Sequence, residues 1–293
     1  MVAPQIIPQR TVAFFDILGF RQAVLTTPLS ELAAKYERRI AEADAMNHPE
    51  NLVSGTPSLF PNHSPNAPWC QRFVFSDSII LVSIDDSAVS ALKLLVYAWR
   101  LSQSFIAFQM PLRGGIAFGE LYSNPLRNIC LGHALTTAYD LEQSQAWVGA
   151  AIHSSVEEAF PEILSPDNEY HGLLDDIFLR YPVPMKPVPI IGIISRIWAA
   201  LMRYPVPEQC DASKRLRTLN WRFNLVVEKG TRSLFASDGS YDVMQKVANT
   251  LKYAETVVGS GRIYVADQSN LPVELRSMWI GGKEPPFPHG DNL

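Results

Sequence analysis

Long apolar runs, closely spaced cysteines and an excess of positive charge are all missing from this chain of 293 residues. No run approaches the roughly 18 to 20 consecutive apolar residues that a membrane-spanning helix needs, and no basic segment leads into an apolar stretch at the start. Neither a membrane nor a secretory route is expected, and the expected location is the cytoplasm. Cys70, Cys130 and Cys210 lie far apart, without the spacing of a metal knuckle or a disulfide framework, so reduced, buried thiols are expected. With 25 basic against 29 acidic residues the formal charge is -4, which argues against a nucleic-acid partner. Any phosphate must be met locally or through a metal. The Gly-x-Gly-x-x-Gly and P-loop patterns are absent, as is any Ser/His/Asp or Cys/His arrangement, so hydrolase and P-loop readings fall away. What is present is 47% apolar residues, enough core for one large domain or two ordinary ones.

Apolar period and turn residues agree best over the first 120 residues. Residues 10 to 17 (RTVAFFDI) predict a buried strand, followed by a tight turn at Gly19 and a short helix ending near Pro28. A second helix is predicted from Ser30 to Met46, with Leu32, Tyr36, Ile40 and Ala43 on its apolar face. Residues 47 to 69 hold five prolines and four asparagines and read as a long exposed connection. RFVFSDSIILVSID then gives two strands in a tight hairpin with Asp77 at its tip. A helix capped at Asp86 runs to Phe108, with Leu92, Leu95, Val96 and Trp99 on one face. A strand from Pro111 to Phe118, closed by Gly119, carries Arg113-Gly114-Gly115, where another backbone can approach closely.

This order, strand, helix, strand, strand, helix, strand, is the ferredoxin-like βαββαβ arrangement of an α+β fold. Right-handed crossovers place the first strand beside the third, so Asp16 and Asp77 are expected to be neighbours in space. Further on, a helix over Gly132 to Ser144 (Leu135, Ala138 and Leu141 inward) and a strand at 147 to 152 extend the core. Arg-Tyr-Pro-Val-Pro occurs at 180 to 184 and again at 203 to 207, around an apolar stretch from Ile190 to Met202 that reads either as a packed or dimer-facing helix or as a surface-seeking one. A strand is predicted at 219 to 227 and a helix at 241 to 258, with Val243, Val247, Leu251 and Ala254 inward and a stop at Gly259.

Two carboxylates at one sheet edge repel each other unless a cation lies between them, which points to hard divalent ions. Asp16 and Asp77 both sit in apolar surroundings, FFDILGF and FVFSDSIIL. A plainer reading stays open, in which Asp16 caps the short helix and Asp77 fills a turn position that favours aspartate. The backbone N-H groups of Ile17, Leu18, Gly19 and Phe20 lead into a helix and are candidates to receive a triphosphate. Arg21, Arg72, Arg113 and Arg127 are the cations available nearby, each with a solvated reading beside it, and His133 reads as a helix-start residue.

Four blocks then resemble the class III nucleotidyl cyclases in order and spacing: VAFFDILGF (12 to 20), FVFSDSIILVS (73 to 83), PLRGGIAFGELY (111 to 122) and GHALTTAYDLE (132 to 142). The resemblance implies a cyclase catalytic core over 1–170, a C-terminal α/β extension packed on it over 171–280 and a flexible tail over 281–293. It implies that Asp16 and Asp77, with the Ile17 carbonyl, hold two divalent ions per site, Mn²⁺ or Mg²⁺. It also implies a nucleoside triphosphate substrate and a homodimer with composite active sites. The departures narrow it. Thr136 stands where the family has asparagine, and Asp140 where it has a catalytic arginine. Phe73, next to Arg72, and Ile129 stand where purine cyclases carry a base-reading lysine and aspartate. With the Asn-Trp of LNWRF and no receptor or regulatory domain expected, the chain is most similar to the Pycsar antiphage pyrimidine cyclases. Those convert UTP to cyclic UMP, or CTP to cyclic CMP, and the product activates a separate effector. Arg72 is expected to make a base-edge or phosphate contact and Thr136 a weaker one from the facing subunit, while Arg113 or Arg127 replaces the missing arginine. Two rivals stand beside this reading. One is another palm-like enzyme such as a diguanylate cyclase, whose Gly-Gly-Asp/Glu-Glu-Phe hairpin Ser76-Asp77-Ser78 does not match. The other is a degenerate cyclase domain that binds nucleotide or a partner without turnover.

Overall fold

The computed structural model describes residues 7–46, 68–107, 110–163, 178–186 and 216–219, together with 245, 246, 248–250, 252 and 253. Strand β1 (Gln9–Ile17) leads through Gly19, in the left-handed region at φ 77°, into α1 (Phe20–Thr26), and α2 (Leu29–Met46) follows. Strands β2 (Cys70–Phe75) and β3 (Ser78–Ser83) form a hairpin across the two-residue turn Ser76-Asp77, with Ser76 at φ 54°. Next come α3 (Ala88–Ala107), β4 (Leu112–Glu120), a small hairpin of β5 (Tyr122–Asn124) and β6 (Ile129–Leu131), α4 (His133–Ser144), β7 (Gly149–Ile152) and α5 (Ser154–Ala159). Strands β8 (Phe178–Tyr181) and β9 (Leu216–Leu219) complete the described strands.

The main sheet runs β2-β3-β1-β4-β7-β9-β8. Its first four members have the expected ferredoxin-like order, with β1 antiparallel to both β3 and β4, so the fold is α+β as the sequence implied. Alternation along the strands sorts the core into two faces. Ala13, Phe15, Ile79 and Leu81 pack with α3, which is buried nearly all round rather than on one face. Val12, Phe14, Phe73, Val82 and Ala117 pack with Ala134 and Ala138 of α4 on the other side. On α4 the fully buried residues are Ala134, Ala138, Leu141 and Glu142, whereas Leu135 is only partly covered. Gly115 explains how α4 comes so close, since a side chain there would collide with the Ala138 carbonyl oxygen.

Several boundaries differ from the expected ones for local reasons. Helix α3 starts at Ala88, because Ser87 is the cap: its Oγ accepts the Ser90 N-H, and Asp85 Oδ1 accepts the Ser87 N-H at 3.0 Å. Strand β4 runs through Gly119 to Glu120, because Gly119 pairs with Arg10 of β1. Trp69, read as part of an exposed connection, is buried. Strands β8 and β9 continue the same sheet beyond β7. Their first Arg-Tyr-Pro-Val-Pro copy buries Tyr181 and Val183, with the Tyr181 ring stacked on Trp147 at 5.7 Å. Of the expected 219–227 strand and 241–258 helix, only Leu219 and scattered helical residues from 245 to 253 fall among the described residues. The second repeat copy, Ile190 to Met202, the rest of the 47–69 connection and the tail from Gly281 lie outside them. Among the described residues no helix is long and apolar enough to cross a membrane.

Candidate functional site

One edge of the sheet collects the chemistry. Antiparallel pairing brings the end of β1 to the start of β3 and of β4, so Asp16 is opposite Ser78 on one side and Arg113 on the other. The Ile17 N-H donates to the Asp77 carbonyl at 3.0 Å, which ties the hairpin tip to the strand end. Asp16 and Asp77, separated by 61 positions in sequence, are therefore neighbours, as the strand order required. Burial raises the Asp16 carboxyl above its ordinary value of 3.8; the Arg113 guanidinium opposes the rise and the Asp77 charge adds to it. Asp77 also reaches Tyr36 of α2, whose hydroxyl donates to the Ser76 carbonyl at 2.9 Å. The Tyr36 phenol is pushed up to about 12, by burial first and then by Asp77.

The strand-to-helix turn is partly committed already. Ile17 N-H is taken by Asp77, and Leu18 N-H donates to the Pro111 carbonyl at 2.9 Å, so these two cannot receive a phosphate as the sequence reading supposed. The first bond inside α1 runs from Ala23 N-H to the Gly19 carbonyl, which leaves the N-H groups of Phe20, Arg21 and Gln22 without helical partners. Phe20 itself packs beside Tyr36, with ring centroids 6.0 Å apart.

Arg72 is not on Asp16's face of the sheet, although its charge and that of Asp77 both reach Tyr36. Alternation puts it with Cys70 and Val74 on the α3 side of β2, against Tyr97, while Phe73 points to the α4 side. Asp16 shares that α4 side with Val12 and Phe14. Thr136 is exposed on α4, its N-H and Oγ1 both turned back to the Gly132 carbonyl at 3.1 and 3.2 Å. Asp140 is exposed on the same helix, His133 is its exposed first residue, Arg21 is exposed on α1, and Arg127 is exposed in the β5–β6 turn. Ile129 lies half-buried on β6.

Arg113 is different from the other arginines. It is only 4% exposed, forms a buried ion pair with Glu142, donates from Nη1 to the Gln145 carbonyl at 3.2 Å, and lies 3.9 Å from Asp16 Oδ2. A guanidinium so engaged is held in one place by its buried partners, with its charge beside Asp16. Burial raises the Glu142 carboxyl and Arg113 pulls it back.

Sequence reasoning missed Glu142 and Gln145. The signal was there for Glu142, which falls on the inward stripe of α4 with Ala134, Ala138 and Leu141, where a polar side chain must have a buried partner; Gln145 is the extended residue that closes the helix. It also missed two lysines from beyond residue 170. Lys186 is anchored where its N-H donates to the Ser144 carbonyl at 2.7 Å. Lys246 lies one turn before Asn249 and Thr250. Asn249 Nδ2 donates to the Ala146 carbonyl at 2.8 Å, and Thr250 Oγ1 accepts the Val148 N-H at 3.0 Å. The charges of both lysines draw the Asp16 carboxyl down, against burial. No sequence spacing announces them, because the strands that place them there are non-local.

No family model and no curated protein matches the chain. Among solved structures it is similar to the catalytic core of a rhodopsin-guanylyl cyclase with converted specificity in complex with ATPαS, at 16% identity over 53% of this chain and 81% of that one, TM-score 0.39. It is similar also to a dimeric guanylyl cyclase domain of the RhoGC fusion protein from the aquatic fungus Blastocladiella emersonii, at 17% identity over 53% and 84%, TM-score 0.38. A third is the adenylyl cyclase CyaB from P. aeruginosa, at 15% identity over 55% and 84%, TM-score 0.40.

Proposed function

We propose that this chain is a nucleotidyl cyclase of the class III type that converts UTP to 3′,5′-cyclic UMP and pyrophosphate. The observation that carries the reading is the meeting of Asp16 and Asp77 at one sheet edge, beside the turn into α1. Among the described residues there is no cluster of three or more His, Cys, Asp or Glu that could hold a metal ion. Two carboxylates with the Ile17 carbonyl form an open, all-oxygen donor set, which suits Mg²⁺ or Mn²⁺ arriving with phosphate oxygens and water. Such ions, two per site, would lower the pKa of the ribose 3′-hydroxyl and offset charge on the leaving pyrophosphate.

The remaining work falls to positioning by the chain itself. Asp16 and Asp77 set the place of the reacting phosphate. Gly19 and Phe20 are the members of the turn left to meet phosphate oxygens, and Lys186 and Lys246 add positive charge on the same side. Phe73 and Ile129, where purine cyclases have a lysine and an aspartate, offer no charged pair to a base, which supports a pyrimidine. Thr136, exposed on α4, would meet substrate across a homodimer with two composite sites. The diffusible product would act on a separate effector in antiphage defence.

The test is to incubate the purified chain with ATP, GTP, CTP and UTP in Mn²⁺ and identify products by mass spectrometry. Cyclic UMP is expected, and Asp77→Asn should remove it while leaving the fold intact. Cyclic CMP instead would make the chain a cytidylate cyclase. A second reading, nucleotide binding without turnover, draws on Asp140, an exposed acid at the position of the family's arginine. Absence of any cyclic nucleotide from all four substrates would overturn the first reading in its favour.

A further inference from the structure

Arg113 stands between two carboxylates and gives its hydrogen bonds to one. Its Nε and Nη2 are both directed at Glu142 Oε1, and Nη1 is spent on the Gln145 carbonyl. Asp16 Oδ2, at 3.9 Å, receives charge but no hydrogen bond. Every group that aims Arg113 is itself held. Glu142 Oε2 accepts from Gln143 Nε2 at 2.7 Å. The Gln145 amide donates to the Gly114 and Leu141 carbonyls at 2.8 and 2.9 Å and accepts from Trp147 Nε1 at 2.7 Å. The Glu142 side chain has no solvent exposure, whereas that of Asp16 keeps 24%.

We infer that Glu142 is a positioning residue that holds the Arg113 guanidinium off Asp16, so that the Asp16 carboxylate stays open to a divalent cation. The inference rests on the proposed role of Asp16 as a metal ligand. A guanidinium is a planar fork matched to a carboxylate, and a well-formed pair is a strong competitor for either partner. Without the Glu142 charge, the buried guanidinium would have Asp16 as its nearest carboxylate, and a metal ion would have to break that pair before it could bind.

The experiment measures Mn²⁺ binding to the full, nucleotide-free chain by the electron paramagnetic resonance signal of free Mn²⁺, with thermal unfolding alongside. Glu142→Gln, close to isosteric, should bind about tenfold more weakly. Adding Arg113→Gln to it should restore affinity to within about threefold of the parent, because no guanidinium is left to compete. Parent-like binding by Glu142→Gln, or a double variant no better than the single one, would overturn the inference. If the glutamine variant does not fold, Glu142→Asp carries the test: its shorter carboxylate should still weaken Mn²⁺ binding, and unchanged affinity would count against the idea. Asp16→Asn separates the two levels. Parent binding that this variant abolishes upholds Asp16 as a ligand whatever Glu142 does, while a parent that binds no Mn²⁺ sinks both.

Discussion

Gly115→Ala tests the seam on which the whole edge is built. A Cβ at Gly115 would collide with the Ala138 carbonyl oxygen and stand 2.9 Å from the Glu142 nitrogen and 3.0 Å from Leu141 Cβ. Two of these three are helix backbone, which cannot swing aside as a side chain can, so α4 must retreat as a body by about an ångström. That retreat loosens the burial of Ala134, Ala138 and Leu141 and stretches the Arg113–Glu142 pair across the same seam. Overpacking costs about 1–3 kcal/mol, and here the weakened buried pair adds to it, so a loss of about 3 kcal/mol is expected. For a domain of this size that lowers Tm by roughly 10 °C. Gly119→Ala is the control on the same strand: its nearest neighbour would be the Ala134 nitrogen at 3.6 Å, an ordinary contact, so it should fall within about 0.5 kcal/mol of the parent. Paired thermal and urea unfolding of both variants gives the answer. A Gly115→Ala chain as stable as Gly119→Ala would mean that α4 does not lie on β4 as described.

Asp16 titrates above its ordinary value, chiefly through burial, so the folded state binds that proton more tightly than the unfolded chain does. The stability this group contributes is present below the ordinary carboxylate pKa and falls as pH rises through the folded value. Asp16→Asn should therefore be at least as stable as the parent at neutral pH and equal to it in acid, while forming no cyclic nucleotide; a variant less stable at neutral pH than in acid, relative to the parent, would contradict this. The Cys130 thiol is raised by burial to about 11 from 9.0, which leaves about a hundredfold less thiolate at pH 8 than an ordinary thiol. Iodoacetamide labelling with peptide mapping should find Cys130 slow and the buried Cys70, whose thiol burial pushes higher still, unmodified until the chain unfolds. Lys246→Ala should raise the KM for the nucleoside triphosphate about two- to fivefold, the range for a solvent-screened charge; an unchanged KM would remove Lys246 from the substrate's surroundings.

The local elements were legible where hydrophobic period and turn chemistry agreed. FFDILGF read as a strand with Asp16 near its end and FVFSDSIIL as a hairpin with Asp77 at its tip, and the strand order followed from chain handedness, so the meeting of Asp16 and Asp77 was predictable from the sequence. Which way a given side chain pointed was less secure. Arg72 was read as facing substrate, yet a one-residue step along a pleated strand reverses direction and sends it to the α3 side. The second half was harder because its strands pair across long separations: β9 inserts between β7 and β8, an order that no local pattern encodes.

The amino-acid order alone determined the βαββαβ core, a tight hairpin with Asp77 at its tip and the edge at which two acids converge, because periods of 2 and 3.6 and the hand of a crossover are local properties of the backbone. Only the tertiary structure decided what surrounds those acids. Packing buried Arg113 against Glu142, committed the Ile17 and Leu18 N-H groups, and brought Lys186 and Lys246 to Asp16. These are outcomes of burial and of competition for hydrogen-bond partners, and both are settled only when distant segments share one interior.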